Sequence, residues 1–427
     1  VDIHAKQEQS IPSPVTNMKL PRNDWMQVCM APLCFMFCMT IAVSEQYLED
    51  QSIQMFPNTR LLSNRMLMMR LNKQGMMRLN QKRMGRPQKS RPTPSPFEST
   101  MPTLSVIPSS EPSVEPSLGP TATPIPLGVD WINQTSAAEH NWSSVTYGNG
   151  IFVAVAQEGS DSNLVMTSPD GMNWTSQRSA SQAEWTSVVY GNGIFVAVAN
   201  GGMDDNRVMT SPNGIDWTMQ ESPPEEDNWN SVTFGMEKFV AIGVNTEEGE
   251  TAMTSPNGMN WTLATATPLG AWSSVTYGNG TFVAVDLFST SGNKVMTSPN
   301  GISWTTHASP IAGWFSVAYG MDLFVAVAYL GVGTNLVMTS PNGMNWTIHQ
   351  SATIAAWTSV TYAEAEQIFV AVAGGGVGTN LVMTSPNGMN WTIQESAAAA
   401  QWVSVTYGNG TLVAVSLDGK VMTSQSS

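Results

Sequence analysis

A ten-residue phrase that recurs along the chain constrains its fold more than any other feature. The first copy runs from Val165 to Trp174 and reads Val-Met-Thr-Ser-Pro-Asp-Gly-Met-Asn-Trp. Close copies begin at Val208, Ala252, Val295, Val337 and Val382. A second phrase, Trp-x-Ser-Val-x-Tyr with Phe234 in place of one tyrosine, begins at Trp142, Trp185, Trp229, Trp272, Trp314, Trp357 and Trp402. This part of the chain is therefore one module in several copies.

The spacing of the second phrase indicates the architecture. Its tryptophans are 42 to 45 residues apart, and each interval contains several short apolar runs. In the first copy we predict strands at 142–147, 151–156 and 164–167, and a fourth strand that starts at Met172. Glycine and asparagine at 148–150 predict a tight hairpin between the first two strands. A period in the low forties with four strands per unit is typical of the blades of a β-propeller.

The two ends of the repeat array fit together. The last unit starts at Trp402 and reaches residue 427 before its turn and fourth strand, and Pro126 to Ile132 aligns with the missing piece. We therefore predict an all-β fold, a seven-bladed β-propeller of four-stranded antiparallel blades whose last blade is closed by the N-terminal strand. The repeated tryptophans are then packing residues between blades.

The residues before the propeller, which we place at 126–427, form three segments. Residues 1–44 contain an apolar run at 28–43 that resembles a secretory signal peptide, with an uncleaved signal anchor as the alternative. Residues 45–91 are basic and rich in methionine, and we predict disorder there; an amphipathic helix at 61–79 that contacts an acidic membrane or nucleic acid is the alternative. Residues 92–125 are a linker rich in Pro, Ser and Thr. We expect a secreted or cell-surface protein, with any membrane tether in the N-terminal segment.

Charge argues against one class of partner. From residue 128 onward the sequence has 23 acidic and five basic residues, a net charge of −18. Because nucleic acid binding needs cations that neutralise phosphates, we exclude nucleic acid as a partner of the propeller.

The acids concentrate in two kinds of loop, those between the second and third strands and those between a fourth strand and the next blade. In a propeller these loops share one face, which we call the variable-loop face. We predict that a monomeric propeller binds a protein or a glycan there; loops that vary freely under selection for solubility are the alternative. The candidate binding residues are Glu158, Asp161, Glu184, Asp204, Asp205, Glu225, Glu226, Asp227, Glu247, Glu248 and Glu250.

Metal and cofactor chemistry finds little support in the sequence. The histidines after residue 126, at His140, His307 and His349, are isolated, and no His or Cys cluster has the spacing of metal ligands. Residues 204–206 could hold calcium, but the spacing of an EF-hand is absent. We therefore predict no cofactor, no metal and no catalytic residues.

The phrase from Ser168 to Trp174 resembles the Asp-box, or BNR, repeat of sialidase-like propellers. It is one residue tighter than that repeat, and aspartate is kept only at Asp170. The resemblance covers residues 128–427 and extends to propellers that include photosystem II assembly factors. It implies a fold element rather than a catalytic one.

The resemblance also bears on activity. Sialidases grip the substrate carboxylate with three arginines, and this region has only Arg178 and Arg207. We therefore expect a binding or scaffold propeller that is not an enzyme. Two alternatives stay open. A glycan-processing hydrolase would use paired carboxylates among the loop acids, and an organellar assembly factor would need a transit signal, against which the apolar run at 28–43 argues.

Overall fold

The computed structural model describes residues 126–159, 162–202, 207–223, 228–245, 251–265, 267–288, 292 and 294–426. Within them all regular secondary structure is β-strand, and the strands pair antiparallel in sets of four. The N-terminal segments at 1–44, 45–91 and 92–125 lie outside the described residues. No helix in the described ranges is long and apolar enough to cross a membrane.

Each set contributes its strands in chain order, except that the earliest strand joins the last set. The first strands are β2 (Asn141–Gly148), β6 (Ala183–Gly191), β10 (Asn228–Gly235), β14 (Gly270–Gly278), β18 (Gly313–Gly320), β22 (Ala356–Ala363) and β26 (Trp402–Gly408). The second strands are β3 (Ile151–Glu158), β7 (Ile194–Gly202), β11 (Lys238–Asn245), β15 (Thr281–Asp286), β19 (Leu323–Leu330), β23 (Ile368–Gly375) and β27 (Thr411–Ser416).

The third and fourth strands are shorter. The third strands are β4 (Val165–Ser168), β8 (Val208–Ser211), β12 (Ala252–Ser255), β16 (Val295–Ser298), β20 (Val337–Ser340), β24 (Val382–Ser385) and β28 (Val421–Gln425). The fourth strands are β5 (Thr175–Gln177), β9 (Thr218–Gln220), β13 (Thr262–Leu263), β17 (Thr305–His307), β21 (Thr347–His349), β25 (Thr392–Gln394) and β1 (Ile132–Gln134). Strand β1 pairs with β28, and β11 also pairs with β14, which joins two sets into one eight-stranded sheet.

The Trp-x-Ser-Val phrase links each set to the next. In β2 the pairing shifts between Trp142 and Ser144, so Ser143 bulges out of the ladder, and its hydroxyl donates to the carbonyl of Trp185 in the next set at 2.6 Å. The hydroxyl of Ser144 accepts from the amide N–H of Val188 at 3.1 Å. The phrase therefore encodes hydrogen bonds between sheets as well as strand pairing.

Buried side chains fill the space between neighbouring sheets. The tryptophans that begin the phrase, such as Trp142 and Trp185, are fully buried, and so is the run from Phe152 to Ala156 on the second strand. The second strand is therefore buried on both faces, as a strand between two neighbouring sheets is. Five of the six phrase tyrosines pack against the phenylalanine of the following strand, as Tyr147 does against Phe152 at 4.7 Å between ring centroids.

The prediction for the fourth strand is wrong at its start. In the first unit that strand begins at Thr175 rather than Met172. The indole N–H of Trp174 donates to the carbonyl of Gly171 at 2.7 Å and holds the intervening residues in the turn. Equivalent tryptophans in the other units make the same bond to the turn glycine, at 2.9 to 3.1 Å.

Candidate functional site

The two kinds of variable loop lie together at one end of each sheet. In four sets the amide N–H of a serine after the fourth strand donates to a carbonyl in the loop before the third strand, at 2.7 to 3.0 Å. The pairs are Ser179 with Ser162, Ser309 with Gly292, Ser351 with Thr334 and Ser396 with Thr379. In these four sets the two kinds of loop therefore lie on the same face, the variable-loop face.

The structure describes two of the predicted binding acids. Glu158 ends β3, is exposed and accepts from the side-chain amide of Asn141 at 2.9 Å. Glu184 is the second residue of strand β6 and is half-buried beside Gly201. No hydrogen bond joins these two described acids. Asp161, Asp204, Asp205, Glu225, Glu226, Asp227, Glu247, Glu248 and Glu250 lie outside the described residues.

The sequence predicts acidic binding residues on this face, but large apolar side chains are also exposed on it. They alternate between the two kinds of loop across three consecutive sets, from the loop before β14 to the loop after β23. We call them the apolar arc, which consists of Leu269, Phe288, Ile311, Val332, Ile354 and Val377. Exposed apolar side chains that cluster on a surface are typical of interaction sites.

Two of the arc residues lie at the tips of matching loops. Val332 is 49% exposed and Val377 is 73% exposed, and each is followed by a glycine with positive φ, Gly333 or Gly378. The carbonyl of each valine accepts from the asparagine three residues later, at 3.3 Å. Beneath them Leu336 is buried, as is its equivalent in the next set. The hydrogen bond and the buried leucine fix the conformation of each turn, and the valine side chain at its tip remains exposed to solvent.

A pair of buried charges lies at the base of this face in the fourth unit. Asp286 is 1% exposed and Lys294 is 6% exposed. The carboxylate of Asp286 accepts from the amide N–H groups of Ala271 at 3.0 Å and Phe288 at 2.7 Å. Burial lowers the pKa of Lys294, and the charge of Asp286 partly offsets this shift. The aspartate therefore fixes the loop that carries Phe288.

A second charged pair lies at the equivalent place in the last unit. Lys420 forms a 3.1 Å salt bridge with Asp418, and both side chains are partly exposed. Burial raises the pKa of Asp418, but hydrogen bonds from Ser416, Gln401 and Lys420 outweigh it, so the net shift is downward. The pair closes a short turn between β27 and β28.

Two of the histidines, His307 and His349, stabilise the pairing of third and fourth strands. His307 and His349 end the fourth strands β17 and β21, and each bonds a threonine hydroxyl on the adjacent third strand at 2.8 Å. Gln177 occupies the same position in the first unit and bonds Thr167. Burial lowers the pKa of both histidines. Among the described residues no group of three or more His, Cys, Asp or Glu side chains could hold a metal ion.

The opposite face carries the repeated turn. Asp170 accepts from the amide N–H groups of Met172 and Asn173 at 2.8 and 2.9 Å, and hydrogen bonds, led by that of Asn173, hold its pKa well below the ordinary value. Asn213 makes the same two backbone bonds with its side-chain oxygen in the second unit. Because an amide oxygen suffices, the turn does not require aspartate.

Comparison with known proteins identifies the class. No protein-family model and no curated protein matches this chain. Virginiamycin B lyase from Staphylococcus aureus superposes with a TM-score of 0.59 at 12% identity, over 70% of this chain and 99% of that one. YCF48 bound to D1 peptide superposes with a TM-score of 0.54 at 12% identity, over 70% and 97%. YCF48 from Cyanidioschyzon merolae gives 0.52 at 15% identity, over 69% and 98%.

These likenesses show that the fold is a β-propeller. The lyase and YCF48 also show that one architecture carries different functions. The prediction that this chain is not an enzyme is therefore wrong as a conclusion from its fold, because the solved structures that it resembles include an enzyme. The prediction rested on the scarcity of arginines and on the absence of a His or Cys cluster with metal-ligand spacing, and neither feature excludes other reactions.

Proposed function

We propose that this chain is a closed, seven-bladed propeller that binds a protein or glycan through its variable-loop face. Ring closure is supported by a cycle of hydrogen bonds. In each unit the phrase serine accepts from the phrase valine of the next unit at 3.1 to 3.2 Å, and Ser404 of the last unit accepts from Val145 of the first. The pairing of β1 with β28 supports closure of the last blade.

The binding proposal rests on one contrast: the strands and tight turns repeat from unit to unit, whereas the loops of one face differ. Strand bounds, bulges and turn hydrogen bonds recur from unit to unit. The loops on one face differ, and they range from the acidic 246–250 to the apolar 374–378. A rigid frame that presents different loops on one face is the arrangement by which many scaffolds recognise ligands.

A protein partner has more support than a glycan. The apolar arc presents isoleucine, leucine, valine and phenylalanine, which bury apolar surface against another protein. YCF48, a propeller of similar fold, has been solved bound to D1 peptide. We therefore propose a peptide segment of a protein as the ligand and keep a glycan as the alternative outcome.

The proposal also covers the location of the protein and its relation to other propellers. We propose a monomeric propeller that is secreted or at the cell surface, because the apolar run at 28–43 has the composition of a signal peptide. The turn phrase supports kinship with Asp-box propellers. In most units the side-chain oxygen of asparagine accepts the backbone hydrogen bonds that aspartate accepts in the first unit.

We expect the full chain to select ligands when it is screened against a random peptide library and a glycan array in parallel. Changing Glu225, Glu226 and Asp227 to alanine should weaken the selected interaction about tenfold, because rim charges contribute to recognition and to association rate. The matched control is Glu364→Ala with Glu366→Ala, in a turn on the opposite face, which should leave binding unchanged. If only glycans are selected, a glycan replaces the peptide as the proposed ligand. If neither screen selects a ligand, the proposal is refuted.

A further inference from the structure

The dipeptide Asn-Gly occurs in two kinds of turn in the propeller. Four copies form hairpin loops between a first and a second strand, and their asparagines are Asn149, Asn192, Asn279 and Asn409. Five copies lie in the turn between a third and a fourth strand, and their asparagines are Asn213, Asn257, Asn300, Asn342 and Asn387. We call the first set the hairpin asparagines and the second set the turn asparagines. The two sets place one dipeptide in two different environments.

This dipeptide contains both reacting groups of deamidation. The amide nitrogen of the glycine attacks the side-chain carbonyl carbon of the asparagine. A new C–N bond closes a cyclic imide, and the side-chain nitrogen leaves as ammonia with the proton of the glycine amide. Water then adds to one carbonyl of the imide, opens the ring and leaves aspartate or isoaspartate. Because glycine has no side chain beside its nitrogen, the attack needs only a glycine N–H without a hydrogen bond and an asparagine side chain that is free to rotate.

The hairpin loops meet both requirements. In the first unit Asn149 and Gly150 are exposed, and within the described residues neither the Asn149 side chain nor the Gly150 N–H makes a hydrogen bond. Apart from its chain neighbours, no described heavy atom lies within 4 Å of the position that a Cβ of Gly150 would take, and the same holds for Gly193, Gly280 and Gly410. The hairpin asparagines share positive φ angles of 45 to 49°. They therefore lie in one repeated, open loop.

The other turn holds the same groups in hydrogen bonds. The side-chain oxygen of Asn300 accepts from the backbone N–H groups two and three residues later, both at 2.9 Å, and from the hydroxyl of Ser298 at 3.1 Å. The N–H of Gly301, which would be the nucleophile, donates to Ser298 at 2.9 Å, and that of Gly214 makes the equivalent bond at 2.8 Å. A tenth Asn-Gly begins at Asn200 within strand β7, and its side-chain amide donates to an asparagine of the next unit at 2.8 Å. These bonds must break before the attack.

We propose that the four hairpin asparagines deamidate spontaneously in the folded protein, whereas the five turn asparagines and Asn200 are protected. Each reaction replaces a neutral amide by a carboxylate on the face opposite the variable-loop face. The hairpins of the third, fifth and sixth units already carry exposed acids, which are Glu237, Asp322, Glu364 and Glu366. Complete reaction therefore leaves an acid in all seven hairpins. The inference is independent of the proposed function, which concerns the other face.

The test incubates the folded full chain in H₂¹⁸O at mildly alkaline pH, digests it with a protease that works in acid and measures each Asn-Gly peptide by mass spectrometry. A deamidated peptide carries an oxygen atom from the solvent. The hairpin asparagines should react at least about tenfold faster than the turn asparagines, because several hydrogen bonds of the turn must break first. The matched control is the same chain unfolded in guanidinium chloride, in which the rates of the two sets should converge because both are Asn-Gly.

Ser298→Ala supplies a matched variant, because it removes a hydrogen-bond partner of both Asn300 and Gly301. The rate at Asn300 should rise at least about threefold, whereas the rate at Asn342, in the next unit, should stay unchanged. Equal rates of the two sets in the folded chain would overturn the inference, and so would hairpin asparagines that react only in guanidinium chloride. An unchanged rate at Asn300 in the variant would refute protection by the serine hydrogen bonds.

Discussion

Replacing Asp286 by alanine should lower the free energy of unfolding by about 3 to 5 kcal/mol. The change removes the acceptor of the N–H groups of Ala271 and Phe288. It also removes the negative charge that offsets the burial of Lys294. A buried cation without its counter-charge is strongly destabilising. Chemical denaturation at pH 7 measures the loss.

The chain itself supplies the control for this prediction. Alanine and leucine stand at the two positions in three other units, as Ala328 and Leu336 do, and both are buried there. The double variant Asp286→Ala, Lys294→Leu should therefore recover most of the lost stability. It should not recover the part that comes from the hydrogen bonds of the Ala271 and Phe288 amides to Asp286. A double variant as unstable as the single one would show that the charge of Lys294 is not the cause.

Replacing Trp185 by alanine should cost about 3 to 5 kcal/mol, because this fully buried indole fills the space between two sheets. The matched change is Trp217→Ala in the same unit. Trp217 is half-buried and bonds the carbonyl of Gly214, so its loss should cost only about 1 to 2 kcal/mol. Denaturation curves of the two variants measure the difference. Equal costs would contradict the assignment of the phrase tryptophan to the core.

The sequence predicts the frame well because its signals are local and repeated. Asparagine and glycine at 149 and 150 indicate a hairpin, and both adopt positive φ there. The start of the fourth strand is mispredicted because the proline and glycine of residues 168–171 indicate a four-residue turn, and they do not show that the turn continues to Trp174. The conformation of residues 172–174 is instead decided by the bond from Trp174 to Gly171, and turn chemistry outweighs strand propensity.

The candidate site is predicted less well because it depends on burial and on contacts between loops. Asp286 and Lys294 each depart from the usual residue of their position, and the joint departure within one unit was the available signal for a buried pair. Phe288 lies outside the repeated Phe-Val-Ala run of the second strands, but its sequence context does not show that it is exposed. The apolar arc becomes visible only when the loops are placed on one face.

The most direct test of the central claim compares the two faces in ligand selection by the full chain from a random peptide library. Val332→Glu with Val377→Glu alters the apolar arc, and Met344→Glu with Met389→Glu alters the opposite face at residues of comparable exposure. Recognition through the variable-loop face predicts that the first variant loses the selected peptides, whereas the second retains them. Peptides that survive the first variant and disappear with the second would contradict it.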